Sequence, residues 1–105
     1  MLTFNDYQIS AKATAVYPDQ HSIVYPALGL VGEAGEVAEK VKKWLRGDRD
    51  LDRGALAKEL GDVLWYLSAL ADDLGFTLEE IAHGNIQKLL DRQSKGVLKG
   101  DGDNR

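Results

Sequence analysis

Proline appears at two positions only, Pro18 and Pro26, and none follows over the rest of the chain. Because proline breaks helix interiors and central strands alike, this early confinement leaves long uninterrupted segments. Within them no run alternates apolar and polar residues with the period of a half-buried strand. Apolar residues recur instead at intervals of three and four, so the chain reads as all-α.

Caps and glycines divide the helical material into four. Thr3 caps a first helix over roughly residues 4–15, and Asp6 completes a capping box while meeting the positive end of the helix dipole. The Tyr17, Pro18 and Asp19 region ends it. A second helix runs from about Pro26, suited to a first turn because its missing N–H would find no partner there, to Arg46, with Gly47 as a left-handed stop. After a charged turn from Asp48 to Asp52, a third runs from Asp52 as cap to about Leu74, closed by Gly75. Thr77 caps a fourth, with Glu80 making a second capping box. Past Arg92 the run QSKGVLKGDGDNR carries three glycines and is not expected to propagate a helix. Residues 1–93 thus form one helical domain and 94–105 a glycine-rich tail or flap. Short links favour antiparallel neighbours, so the expected object is a four-helix bundle, or half of a larger intertwined one.

At 105 residues the chain holds a single core that a partner could complete. It has no cysteine, which excludes a disulfide framework, a thiolate zinc site and a cysteine nucleophile. Its net charge of −4 argues against a duplex-binding surface, while leaving room for a small anion where basic residues gather. No apolar run approaches the roughly 20 residues of a membrane span and no signal peptide begins the chain, so the expected place is the cytoplasm.

Two helices carry acids where a water-facing helix would not need them. On the third, Leu56, Leu60, Val63, Leu64, Leu67, Leu70 and Leu74 form one apolar arc, and Glu59, Asp62 and Tyr66 share its border. On the second, Leu30, Val37, Val41 and Trp44 form a stripe edged by Glu33 and Glu36, an edge that Lys40 and Lys43 continue. Acids at i and i+3 lie on one side of a helix, so two such pairs facing each other would bring four carboxylates together. Like charges a few ångströms apart need a counter-ion, and oxygen-only ligation suits Mg²⁺, or Mn²⁺, better than zinc. Gly29 lies on the Glu33 face, where a missing side chain would leave room for a ligand. On the fourth helix Asn85, Lys88 and Arg92 project from the side of Ile81 and Leu89. A lysine point charge and an arginine fork suit a polyphosphate. Gln8, His21 and Trp44 are candidates for contacting the rest of such a ligand by hydrogen bonding or stacking.

The segments GLVGEAGEVAEKV and KELGDVLWYL resemble the E-x-x-E and E-x-x-D signature of the MazG-like, all-α nucleoside triphosphate pyrophosphohydrolases, relatives of the dimeric dUTPases. The similarity runs from the YQ of the first helix through NIQKLLDR. It implies a helical bundle that dimerises, sometimes pairing dimers into tetramers, and that binds Mg²⁺ through Glu33, Glu36, Glu59 and Asp62. It also implies hydrolysis of nucleoside triphosphates, often deoxynucleotides, to monophosphate and pyrophosphate, with Lys88 and Arg92 on phosphates and Tyr66 facing substrate. Some members carry an acid just before the first signature Glu, thought to act as base. Gly32 stands there in this chain, so Glu36 or Glu33 is left to orient the attacking water.

Two other readings compete. Glu80 and His83 form a Glu-x-x-His pair of the ferritin-like di-metal type, but that fold needs two such pairs and Glu80 serves as a cap. A non-enzymatic helical interaction module would use the acidic edge only as soluble surface, and would gain no stability from a divalent ion.

Overall fold

A computed structural model describes residues 1–104, and among them all regular structure is helical. Helix α1 spans Phe4–Lys12, α2 Val24–Leu45, α3 Arg53–Asp73 and α4 Leu78–Lys95, with a short 3₁₀ turn at Asp19–His21. Both expected capping boxes form: Thr3 Oγ1 accepts the Asp6 N–H and Thr77 Oγ1 the Glu80 N–H, while each acid reaches back to the N-cap amide. Asp52 caps α3 by accepting the Ala55 N–H. Gly47 and Gly75 take φ of +85° and +84°, which lets the chain turn sharply after α2 and α3 at little steric cost.

The helix ends differ from expectation in three places. Helix α1 stops at Lys12, not near residue 15, because Thr14 donates its hydroxyl proton to the Ala11 carbonyl and draws the backbone into a tight turn. Helix α2 starts at Val24, so Pro26 sits within the first turn and its ring is buried. Helix α4 continues past Arg92 to Lys95, and Gly96, not the sequence before it, ends the helix.

Before α2 the chain makes a γ-turn of the rare positive-φ kind. Ile23 stands at φ 69° and ψ −58°, with the Val24 N–H donating to the Ser22 carbonyl at 2.7 Å. A β-branched residue there costs on the order of 1–3 kcal/mol. Asp73, at the end of α3, offsets the strain: its Oδ2 accepts the Ile23 N–H and the Tyr17 O–H, each at 2.9 Å.

Helices α2 and α3 are the main packing pair, and they run antiparallel: Tyr66 lies beside Tyr25 and Gly29, while Glu59 lies near Lys40. Helix α1 lies along α3, and α4 meets the ends of α1 and α3. The tightest packing sits at that second junction, where Ala11, Ala69, Ala71, Leu78 and Ser68 are buried around Gln8. The Gln8 amide donates to the Phe76 carbonyl at 3.0 Å and accepts the Leu78 N–H at 2.9 Å, tying α1 to the α3–α4 corner.

Much apolar surface stays open. The chain exposes 7840 Å², against about 5,800 Å² for a compact monomer of this mass, and its radius of gyration is 16.5 Å where about 13 Å is usual. Helix α2 carries a second apolar stripe, through Val24, Leu28, Val31 and Leu45, that faces away from α3 and is exposed throughout. On α3, Leu60 and Leu74 of the expected apolar arc are also more than half exposed. No helix among the described residues is long and apolar enough to cross a membrane.

Candidate active site

The antiparallel α2–α3 pair sets Glu33 opposite the i, i+3 pair of Glu59 and Asp62. One carboxylate oxygen from each lies within 4.8 Å of the other two. Glu33 and Glu59 are half-buried and Asp62 is exposed, so the group sits at the mouth of the interhelical groove. The Glu33 carboxyl is pushed above the usual carboxylate range by partial desolvation, by its hydrogen bond with Glu59 and by the charges of Asp62, Glu59 and Glu36. Glu59 Oε2 is buried with no hydrogen-bond partner. Lys40 reaches Glu59 Oε1 only at 4.0 Å. Three converging carboxylates, one with an unused buried oxygen, fit a hard divalent cation.

The fourth expected ligand lies apart. Glu36 is exposed on α2 and contributes charge to the cluster without joining it. Lys43 pairs with Glu39, one turn back on α2, at 3.7 Å. Asn85 is exposed on α4, while Lys88 and Arg92 both hold Asp103 of the C-terminal segment.

Beside the acids opens a cleft of about 390 Å³ lined by Thr14, Glu33, Asp62, Trp65 and Tyr66. Its wall is aromatic. Trp65 meets Tyr66 edge-on with centroids 5.0 Å apart, and Tyr66, Tyr25 and Tyr17 continue as a row with spacings of 6.3 and 4.9 Å. Trp65 Nε1 donates to Thr14 Oγ1 at 2.8 Å, which fixes the indole. Desolvation first, then its hydrogen bond with Tyr25 and the charges of Tyr25, Glu33 and Asp62, raises the Tyr66 phenol.

Two sequence expectations fail here. Gly29 leaves no room for a ligand, because the Tyr66 ring occupies that space: a Cβ on Gly29 would stand 2.1 Å from Tyr66 Cε1. Gln8 cannot read a base, since its buried amide is committed to the α3–α4 corner. His21 lies exposed in the 3₁₀ turn and Trp44 half-exposed near the far end of α2. Trp65 and Thr14 were not foreseen. Trp65 follows Asp62 by three residues and so shares its helix face, a signal that the apolar arc of α3 obscured.

A model of the MazG nucleotide pyrophosphohydrolase domain matches residues 25–97, which contain all three clustered acids and the basic residues of α4. The chain is 46% identical over 110 aligned positions to the Gene 37 protein of Mycobacterium phage L5, covering 94% of this chain and 96% of that protein. No solved structure matches.

Proposed function

The chain belongs to the MazG nucleotide pyrophosphohydrolase domain family, and from that premise we propose a Mg²⁺-dependent hydrolase, with Mn²⁺ as a substitute, that splits nucleoside triphosphates, deoxynucleotides included, into monophosphate and pyrophosphate. The observation that carries this reading is the convergence of Glu33, Glu59 and Asp62 beside a cleft walled by Trp65 and Tyr66.

Glu33, Glu59 and Asp62 would hold the ion, with Glu36 joining if its rotamer swings inward. The chemistry such an ion supplies is neutralisation of phosphate charge and a lowered pKa for bound water. The chain's own residues do the positioning that phosphoryl transfer chiefly requires. Glu36 and Glu33, one turn apart on α2, would accept a proton from the attacking water. Tyr66 and Trp65 offer a corner of two ring faces against which a base can stack. Lys88 and Arg92 supply cationic hydrogen-bond donors for the phosphates, with Lys40, Lys43 and Asn85 as further polar contacts.

The open apolar faces support a homodimer or a dimer of dimers. The exposed area exceeds that of a compact monomer by roughly 2,000 Å², on the scale of an obligate interface. A second copy of the chain is the partner whose α2 stripe would match. Gly35 falls within that stripe with nothing near its Cβ position, so another helix can approach closely there.

Purified protein with Mg²⁺ and a panel of canonical and deoxy triphosphates should release pyrophosphate and monophosphate in equal amounts, and Glu59→Gln should abolish the release. An interaction module would release none, and full turnover by Glu59→Gln would refute the metal role.

A further inference from the structure

Arg92 is 5% exposed, and a guanidinium so deeply placed needs an anion beside it. That anion comes from the segment that follows α4. Gly96, at φ +70°, ends α4 in a left-handed cap in which the Val97 N–H donates to the Arg92 carbonyl, and this reverses the chain direction. The segment then folds back along α4, turning again at Gly102 with φ +76°. Asp103 Oδ1 thereby reaches Arg92 Nη2 and Lys88 Nζ, each at 3.0 Å. The Gly102 carbonyl accepts from Arg92 Nη2 at 3.4 Å.

The fit is incomplete on both sides. One carboxylate oxygen takes both cations, while Arg92 Nε is buried without a hydrogen-bond partner and the Asp103 side chain is 78% exposed. A pair built only to hold α4 in place would use both carboxylate oxygens and a residue fixed on a helix. A phosphate, with three terminal oxygens and more charge, could satisfy Lys88 together with both Nη2 and Nε of Arg92.

We propose that Asp103 is a chain-borne stand-in for phosphate: the C-terminal segment lays its carboxylate on the Lys88–Arg92 pair, and a phosphate group of the nucleotide must displace it to bind. The inference rests on the reading that Lys88 and Arg92 contact phosphates. It assigns the segment after Gly96 a regulatory role, that of an internal competitor which weakens binding of the substrate and of the pyrophosphate product.

The test is calorimetric titration of the full chain with inorganic pyrophosphate in the absence of divalent ions. Asp103→Asn and Asp103→Ala should bind pyrophosphate about three- to fivefold more tightly than the natural chain, the size expected when a largely exposed carboxylate no longer competes for the two cations. Lys88→Ala should bind it more weakly. Thermal melting supplies the control for structure: saturating pyrophosphate should restore to Asp103→Ala whatever stability the substitution removes. If the Asp103 variants bind no more tightly while Lys88→Ala weakens binding, the segment is a structural strap and the proposal is overturned. If Lys88→Ala also leaves the affinity unchanged, the phosphate role of α4 falls with it, whereas the metal-dependent hydrolysis stands or falls separately with Glu59→Gln.

Discussion

Tyr66 and Gly29 share one volume across the α2–α3 pair: the phenol ring lies where a side chain at residue 29 would begin, 2.1 Å from its Cβ position. This contact seats Tyr66 beside Glu33 and Asp62. Gly29→Ala should drive the ring out of place and cost about 1–3 kcal/mol by overpacking. Tyr66→Ala in the same chain should relieve most of that penalty, so urea denaturation of both single variants and the double variant should show strong non-additivity. Additive losses would mean that the ring moves freely.

Gln8 is a structural residue. Gln8→Leu keeps the volume but leaves the Leu78 N–H and the Phe76 carbonyl without their side-chain partner, so it should destabilise by roughly 2–4 kcal/mol. Turnover per folded molecule, and the ranking of nucleobases, should stay as in the natural chain. Altered base preference would return Gln8 to the site.

Tyr17 should titrate apart from ordinary tyrosines. Burial, then the hydrogen bond to Asp73 and the charges of Asp73 and Asp72, push its phenol up from 10.0 to about 12. The folded-state value is raised, so the stabilisation is fully present below pH 10 and is lost as pH rises through 12. Ultraviolet titration should show a phenol ionising near pH 12 that disappears in Tyr17→Phe. The same substitution should leave Asp73 holding the strained turn at Ile23 alone.

Val31 lies 71% exposed on the open stripe of α2. On an isolated chain Val31→Asp would change stability by no more than about 0.5 kcal/mol. In the proposed oligomer it buries a charge and should split the assembly. Sedimentation equilibrium should give a dimer or tetramer for the natural chain and smaller species for Val31→Asp; equal masses would place the interface elsewhere.

Local signals made the helices readable. Thr3 with Asp6, Thr77 with Glu80, and the glycines Gly47 and Gly75 act over one turn of chain, and each does in the structure what its neighbours imply. The i, i+3 spacing likewise puts Glu59 and Asp62 on one face, and the E-x-x-E segment supplies Glu33 opposite them. What sequence could not supply was the registration between helices. That relation decides that Tyr66 fills the space at Gly29, that Gln8 meets the α3–α4 corner, and that Glu36 stays outside the cluster. The hydrogen bonds of Asp73 to residues 17 and 23, and of Asp103 to α4, join parts of the chain by contacts that no local pattern encodes.

The proposed binding of a divalent cation by Glu33, Glu59 and Asp62 is open to direct test by Mn²⁺ titration followed by electron paramagnetic resonance. The natural chain should remove free Mn²⁺ signal saturably, Mg²⁺ should compete for the same site, and Glu59→Gln should abolish the uptake while remaining folded. Equal Mn²⁺ uptake by the natural chain and Glu59→Gln, or none by either, would contradict it.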